Sequence, residues 1–353
     1  MDGHDYYFRA NGAQVKGEFV TENGKISYYT VDNGYKVKDK FFEVNGKWYH
    51  ADKDGNLATG RQTIDHLNYY FNADGSQVKS DFFTLDGGKT WYYAKDNGEI
   101  VTGAYSVGGK NYYFKEDGSQ VKGDFVKNAD GSLSYYDKDS GERLNNRFLT
   151  TGNNVWYYFK DGKAKKADKT KPADNSGLTD DGAPVYVAKI KVEGKYFAFN
   201  EKGQMQTGLQ YINGDTYYFD SNGYMKTGKV SNVEEENDSF TYYFQTKNGG
   251  NGKGVTGEKS GYLYWKGKRL EAEDDYRIYL VEDKYYLVNK QGKIQKSESK
   301  KYDLELADME DVQFKFSGNT IKDLDSNLLD YVDVPKIELY DNVISAAGVT
   351  DAE

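Results

Sequence analysis

The chain has 353 residues, 37% of them apolar, with 34 tyrosines, 39 glycines, no cysteine and a formal net charge of -9. The absence of cysteine excludes disulfides, thiolate metal sites and cysteine nucleophiles. The mixed, net-acidic charge argues against nucleic acid, which needs clustered positive side chains, and no apolar run approaches the ~18 residues of a membrane span. In chain order, aromatic clusters recur at Tyr6-Tyr7-Phe8, Tyr28-Tyr29, Trp48-Tyr49, Tyr69-Tyr70-Phe71, Trp91-Tyr92-Tyr93, Tyr112-Tyr113-Phe114, Tyr135-Tyr136 and Trp156-Tyr157-Tyr158-Phe159. Their spacing of about 21 residues is the signature of a repeat architecture. Met1-Asp2-Gly3 leads straight into the first cluster, as in a fragment that carries an added start methionine.

Each cluster runs into a turn, as at Asn11-Gly12, Asp54-Gly55, Asp74-Gly75 and Asp117-Gly118. Asp-Gly and Asn-Gly favour tight turns because glycine accepts positive φ and the side chain bonds its own backbone. The stretch Tyr69–Lys79 therefore predicts a strand, a two-residue turn and a second strand. A further turn precedes the next cluster, as at Asn45-Gly46 and Gly108-Gly109. A lone two-stranded hairpin is marginal. Stacking hairpins through their rings supplies the missing core, so the expected fold is all-β with almost no helix: an elongated β-solenoid of aromatic hairpins.

The rhythm gives the expected organisation: residues 1–165 form a first set of hairpin repeats, and 166–184 are a linker or degenerate repeat. Residues 185–297 form a second, divergent set, and 298–353 a C-terminal cap or the start of a further domain. Within the last stretch, Leu324, Leu328, Leu329 and Val332 predict one face of a short helix.

Candidate chemistry is sparse. The carboxylates lie mostly in turns, with no isolated pair for acid–base work, and no Gly-x-Ser-x-Gly elbow occurs. Asp52-Lys53-Asp54-Gly55 lacks the later glutamate of a calcium loop and reads as a turn. His4, His50 and His66 have no metal spacing. The chain is expected to be non-catalytic and free of metal and cofactor. Exposed rings beside polar side chains suit sugar. Gln14 and Lys16, Gln77 and Lys79, and Gln120 and Lys122 each stand two residues apart, so in a strand each pair shares a face, while Val15, Val78 and Val121 point to the other. Two readings of these pairs stay open: donors to a sugar, or solvation of an outer strand face.

The Tyr-Tyr-Phe, Gly and Lys/Thr-Gly punctuation resembles the cell-wall-binding and glucan-binding repeats of Gram-positive surface proteins. Residues 3–165 look most like the C-terminal glucan-binding region of glucansucrases, and the repeats through about residue 296 like a divergent form. The resemblance implies a secreted or cell-surface β-solenoid, probing α-glucan such as dextran as a monomer, with the sucrose-processing barrel absent. It also implies pockets that join one ring to a Gln and a Lys: Tyr7, Gln14 and Lys16; Tyr70, Gln77 and Lys79; Tyr113, Gln120 and Lys122. Three alternatives stand beside it. A sister family binds choline on teichoic acids through Trp, Tyr and Met, for which Trp48, Trp91, Trp156, Trp265, Met205 and Met225 are the available residues. Clostridial toxin repeats bind host glycans, and a spacer binds nothing.

Overall fold

The computed structural model describes residues 3–178, 184–235, 238–246 and 251–336. Among them every long element is a strand, and helix is confined to two short 3-10 segments, Pro172–Asp174 and Ser326–Tyr331. The chain divides into two compact units, residues 1–144 and 145–353.

The first unit is a row of two-stranded antiparallel sheets: β1 (Glu18–Glu22) with β2 (Lys25–Tyr29), β3 (Lys40–Val44) with β4 (Lys47–Ala51), and β5 (Gly60–Ile64) with β6 (Leu67–Phe71). It continues with β7 (Asp81–Thr84) and β8 (Trp91–Ala94), β9 (Gly103–Val107) and β10 (Lys110–Phe114), and β11 (Asp124–Lys127) and β12 (Leu133–Tyr136). The stacked-hairpin expectation holds, with one correction. The paired strands do not flank Asp74-Gly75; they flank the other turn. Asp65 and His66 (φ 49° and 67°), Asn45 and Gly46, and Gly108 and Gly109 all take positive φ at both central positions, the geometry that matches strand twist in a two-residue hairpin.

The Asp74 turn instead closes on itself. Asn72 N–H donates to the Ser76 carbonyl (2.8 Å) and Ser76 N–H to Asp74 Oδ1 (2.9 Å). The segment that follows makes a single bridge, Phe71 to Gln77, and is then shared between neighbours. Gln77 N–H donates to the Trp48 carbonyl of the preceding hairpin (2.7 Å), and Val78 N–H to the Tyr70 carbonyl of its own (2.9 Å). The same stitch recurs for Leu57 and Ala58 onto Ile26 and His50, Ile100 and Val101 onto Asn68 and Tyr93, and Gln120 and Val121 onto Trp91 and Tyr113. Consecutive donors thus join consecutive repeats, which is why the hairpins stack in sequence order.

Alternation then sorts the rings. Tyr69 and Phe71 are buried, and Tyr70 between them is half-buried; Tyr112, Tyr113 and Phe114 follow the same rule. Phe71 and Phe114 are fully buried, worth about 2–3 kcal/mol each by area. Rings of successive hairpins meet, as Phe41 with Tyr69 (5.3 Å) and Tyr70 with Phe83 (4.7 Å, near-parallel).

The second unit is built of hairpins with additions. Arg147–Thr150 pairs with Trp156–Lys160. Asn175–Leu178 pairs with Pro184–Val192, which pairs with Lys195–Asn200; residues 179–183 of the expected linker lie outside the described residues. Gly208–Ile212 pairs with Asp215–Phe219, and a five-stranded sheet contains Gly228–Glu235 and Asp238–Phe244. Tyr276–Val281 pairs with Lys284–Asn289 and takes Tyr302–Leu304 and Val332–Asp333 as parallel neighbours. Tyr302, Leu304, Phe314, Ile321 and Leu328 bury against that hairpin, and Arg277 reaches Glu305, Asp333 (3.3 Å) and Glu273 (3.2 Å). The expected short helix is a 3-10 turn: Leu328 is buried in a cluster against which Leu324 and Val332 also pack, while Leu329 is 47% exposed. Residues 337–353 lie outside the described residues.

Candidate functional site

The sugar pockets expected from sequence can be followed residue by residue. Each Gln follows the turn and bridges the last ring of its cluster: Gln14 to Phe8, Gln77 to Phe71, Gln120 to Phe114. Its side chain runs under the turn of the next repeat. Gln14 Nε2 donates to the Asn33 carbonyl (2.9 Å), Gln77 Nε2 to Asn97 (3.4 Å) and Gln120 Nε2 to Ser140 (3.2 Å). Gln77 and Gln120 are each only 9% exposed, whereas Gln14, in the first repeat, is half-buried.

The roof of each seat is a glycine at positive φ. A Cβ added at Gly98 would lie 2.1 Å from Gln77 Nε2, one at Gly141 2.3 Å from Gln120 Nε2, and one at Gly34 2.6 Å from Gln14 Nε2. The seat is not reserved for glutamine. Leu57 fills it under Gly75, Ile100 under Gly118, Met205 under Gly223 and Met225 under Gly252. Lys36 runs its stem under Gly55 in the same way, and a position that takes Gln, Leu, Ile, Met and a lysine stem is a packing position first. The two methionines are the second unit's counterparts of the glutamines, a correspondence the bridge from Phe219 to Met225 makes explicit. Gly98→Ala is therefore expected to destabilise the first unit by about 1–2 kcal/mol through its left-handed backbone alone, and to expel the Gln77 amide from its seat. Thermal melts and the Gln77 side-chain amide resonances check this.

The lysines complete the clip. Lys16 Nζ donates to the Asp32 carbonyl and Lys122 Nζ to the Asp139 carbonyl, each at 2.9 Å. The ring that Lys79 meets is Trp48, with Nζ 4.7 Å from the ring centroid, and Lys122 likewise lies over Trp91 at 5.5 Å. Both indoles belong to the preceding hairpin, and both are half-buried. Tyr7, Tyr70 and Tyr113 are half-buried, and their ring neighbours are Tyr29 (5.8 Å), Phe83 (4.7 Å) and Tyr136 (5.9 Å). The structure thus brings Gln77 and Lys79 together with Trp48, and Gln120 and Lys122 with Trp91. Sequence reasoning paired these donors with the tyrosine of their own cluster. The missed signal was available: Trp48 precedes Lys79 by the same interval that separates Trp91 from Lys122.

Cations sit on rings elsewhere too. The Arg61 guanidinium lies 5.6 Å from the Tyr92 centroid and donates to the Asp117 carbonyl (2.6 Å). Lys195 covers Tyr224 at 3.9 Å and Lys259 lies 5.6 Å from Tyr243. The negative face of an aromatic ring attracts a cation, and most strongly on tryptophan. Turn carboxylates are held ionised: the Ser76 hydroxyl and N–H lower the Asp74 carboxyl below its usual range, and Ser119 does the same for Asp117. Among the described residues no cluster of three or more His, Asp or Glu side chains is arranged to hold a metal ion.

The comparisons with known proteins agree with this architecture. A model of the choline-binding repeat matches residues 1–41, 58–105, 101–148 and 206–254, more than half of the chain, and one of a putative cell wall binding repeat matches 39–57. Glucosyltransferase-S of Streptococcus mutans is 36% identical over 88 residues, 25% of this chain. Glucosyltransferase-I of the same species is 56% identical over 86 residues, 24% of this chain. Each match spans only 6% of the relative's own length. Among solved structures, CbpJ from Streptococcus pneumoniae shares the fold at a TM-score of 0.50 and 20% identity, over 76% of this chain and 98% of that one. These relatives all come from streptococci. The chain belongs to the choline-binding repeat family: a non-catalytic, repeat-built module for binding carbohydrate and cell wall, related more distantly to the repeats of glucosyltransferases.

Proposed function

We propose that the module holds a choline-bearing cell-wall polymer, several residues of it at once, on the aromatic faces that its hairpins present. The observation that carries this reading is the choline-binding repeat match over more than half of the chain. Ring chemistry supports it, since Trp48, Trp91, Tyr92 and Tyr224 already attract the chain's own ammonium and guanidinium groups. A trimethylammonium group is a cation of the same class with no donor hydrogens to satisfy, and such a group is well held by aromatic faces. Each contact is weak, so polymer binding rests on effective concentration.

A second reading, α-glucan, is favoured by the 56% identity to a glucosyltransferase. In it, Lys79 and Lys122 donate to sugar hydroxyls while the rings take the apolar face of the sugar. Parallel columns distinguish the two. Retention on immobilised choline, reversed by free choline, is the expected result. Retention on dextran alone, reversed by isomalto-oligosaccharide, would replace the choline reading with the second one. Passage through both columns would leave neither.

A further inference from the structure

The second unit contains a more enclosed ring pair. Tyr217, on strand Asp215–Phe219, is only 4% exposed, and the half-buried Tyr196 stands on strand Lys195–Asn200 of a different sheet. Lys189, on Pro184–Val192, inserts its ammonium between them: Nζ lies 4.0 Å from the Tyr217 centroid and 5.3 Å from that of Tyr196. It also donates to the Asn251 carbonyl at 3.1 Å. Two ring faces and a carbonyl oxygen surround one cation.

Among the charges around Lys189, Asp215 favours its ammonium, while burial and Lys253 oppose it. Lys191 Nζ lies 5.7 Å from the Tyr196 ring, and Lys253 repels Lys189, although Lys253 is itself paired with Asp215. Burial and Lys253 together lower the Lys189 pKa. The two rings, the Asn251 carbonyl and the Asp215 carboxylate favour the charge there. This differs from Lys79 and Lys122, each of which lies over a single indole.

We infer that the Tyr196–Tyr217 cage is a site for a small organic cation which the chain fills with its own Lys189, and that removing this side chain opens the cage to a quaternary ammonium ion. The inference rests on ring chemistry, not on the identity of the polymer, and it means that this ring pair is closed to outside ligand in the intact protein. Lys189→Ala would vacate the stem and the ammonium together, a volume close to that of tetramethylammonium. Lys300 lies similarly near Tyr276 (4.6 Å) and Tyr302 (5.2 Å), but its own side chain is exposed.

The test uses the full chain and tetramethylammonium as probe. In the native protein, ring currents are expected to move the Lys189 ε-methylene resonances upfield. On titration, Lys189→Ala is expected to bind tetramethylammonium about tenfold more tightly than the native chain, with the Tyr217 ring resonances reporting. Lys189→Arg should show no gain, and adding Tyr217→Leu to Lys189→Ala should remove it. Tyr217 resonances that stay still in Lys189→Ala would overturn the inference, as would a gain that survives Tyr217→Leu. Should Lys189→Ala fail to fold, the native ε-methylene shift decides: resonances at the position of a solvated lysine overturn the closed cage.

Discussion

Replacing Lys79 and Lys122 together with alanine is expected to strengthen retention on immobilised choline by about 20-fold and to weaken retention on dextran. The physical reason is competition for a face. Lys79 Nζ stands 4.7 Å over Trp48 and Lys122 Nζ 5.5 Å over Trp91, where a ligand cation would stand. Displacing an exposed cation–π partner costs about 0.5–1 kcal/mol per site, up to about fivefold in affinity, and two sites on one polymer compound. If the ligand is instead a sugar, the same lysines are donors to its hydroxyls, and their loss removes contacts without freeing any. The double variant thus moves the two columns in opposite directions. Unchanged behaviour on both would remove the Trp48 and Trp91 faces from the binding surface. Lys122 also bonds the Asp139 carbonyl, so a melting curve should accompany the columns.

Alkali is expected to unfold the second unit between about pH 10 and 12. Burial pushes the Tyr217 phenol up to about 12 and the Tyr279 phenol up to about 12 as well. In the unfolded chain both would titrate near 10. Below pH 10 the phenols are protonated in both states, and their preference for the neutral form is fully expressed. As pH rises through the interval the unfolded chain loses protons that the folded one keeps, so stability falls. Two units per phenol amount to about 2.7 kcal/mol each, and both residues are nearly out of water, at 4% and 5% exposure. Their sum, ~5 kcal/mol, rivals the whole stability of many domains. Phenolate absorbance and far-ultraviolet circular dichroism should change together. Tyr217→Phe should move the transition to higher pH. Phenolates that all titrate near 10 with the sheet signal intact would contradict the argument.

Much of the architecture was legible in the residues. Ring clusters at a fixed interval, glycines at turns and the lack of cysteine require stacked hairpins, because no single hairpin of this chain can bury its own rings. The alternation that hides Tyr69 and Phe71 while leaving Tyr70 half-buried is a property of any strand. The hairpin turn was misplaced because Asp74-Gly75 carries the glycine that positive φ favours and Asp65-His66, which takes the hairpin, does not. What separates them is where the next donors go, and Gln77 N–H goes to Trp48 in another repeat.

The candidate site was half legible for the same reason. The Gln and Lys pairs announced themselves by repetition, yet the glycine that roofs each Gln and the indole that meets each Lys lie in other repeats. Local spacing determined which side chains share a strand face, since that depends only on backbone geometry. Stacking decided which faces are covered and which ring meets which cation. Those contacts run between residues tens of positions apart, joined by backbone hydrogen bonds that no neighbouring residue specifies.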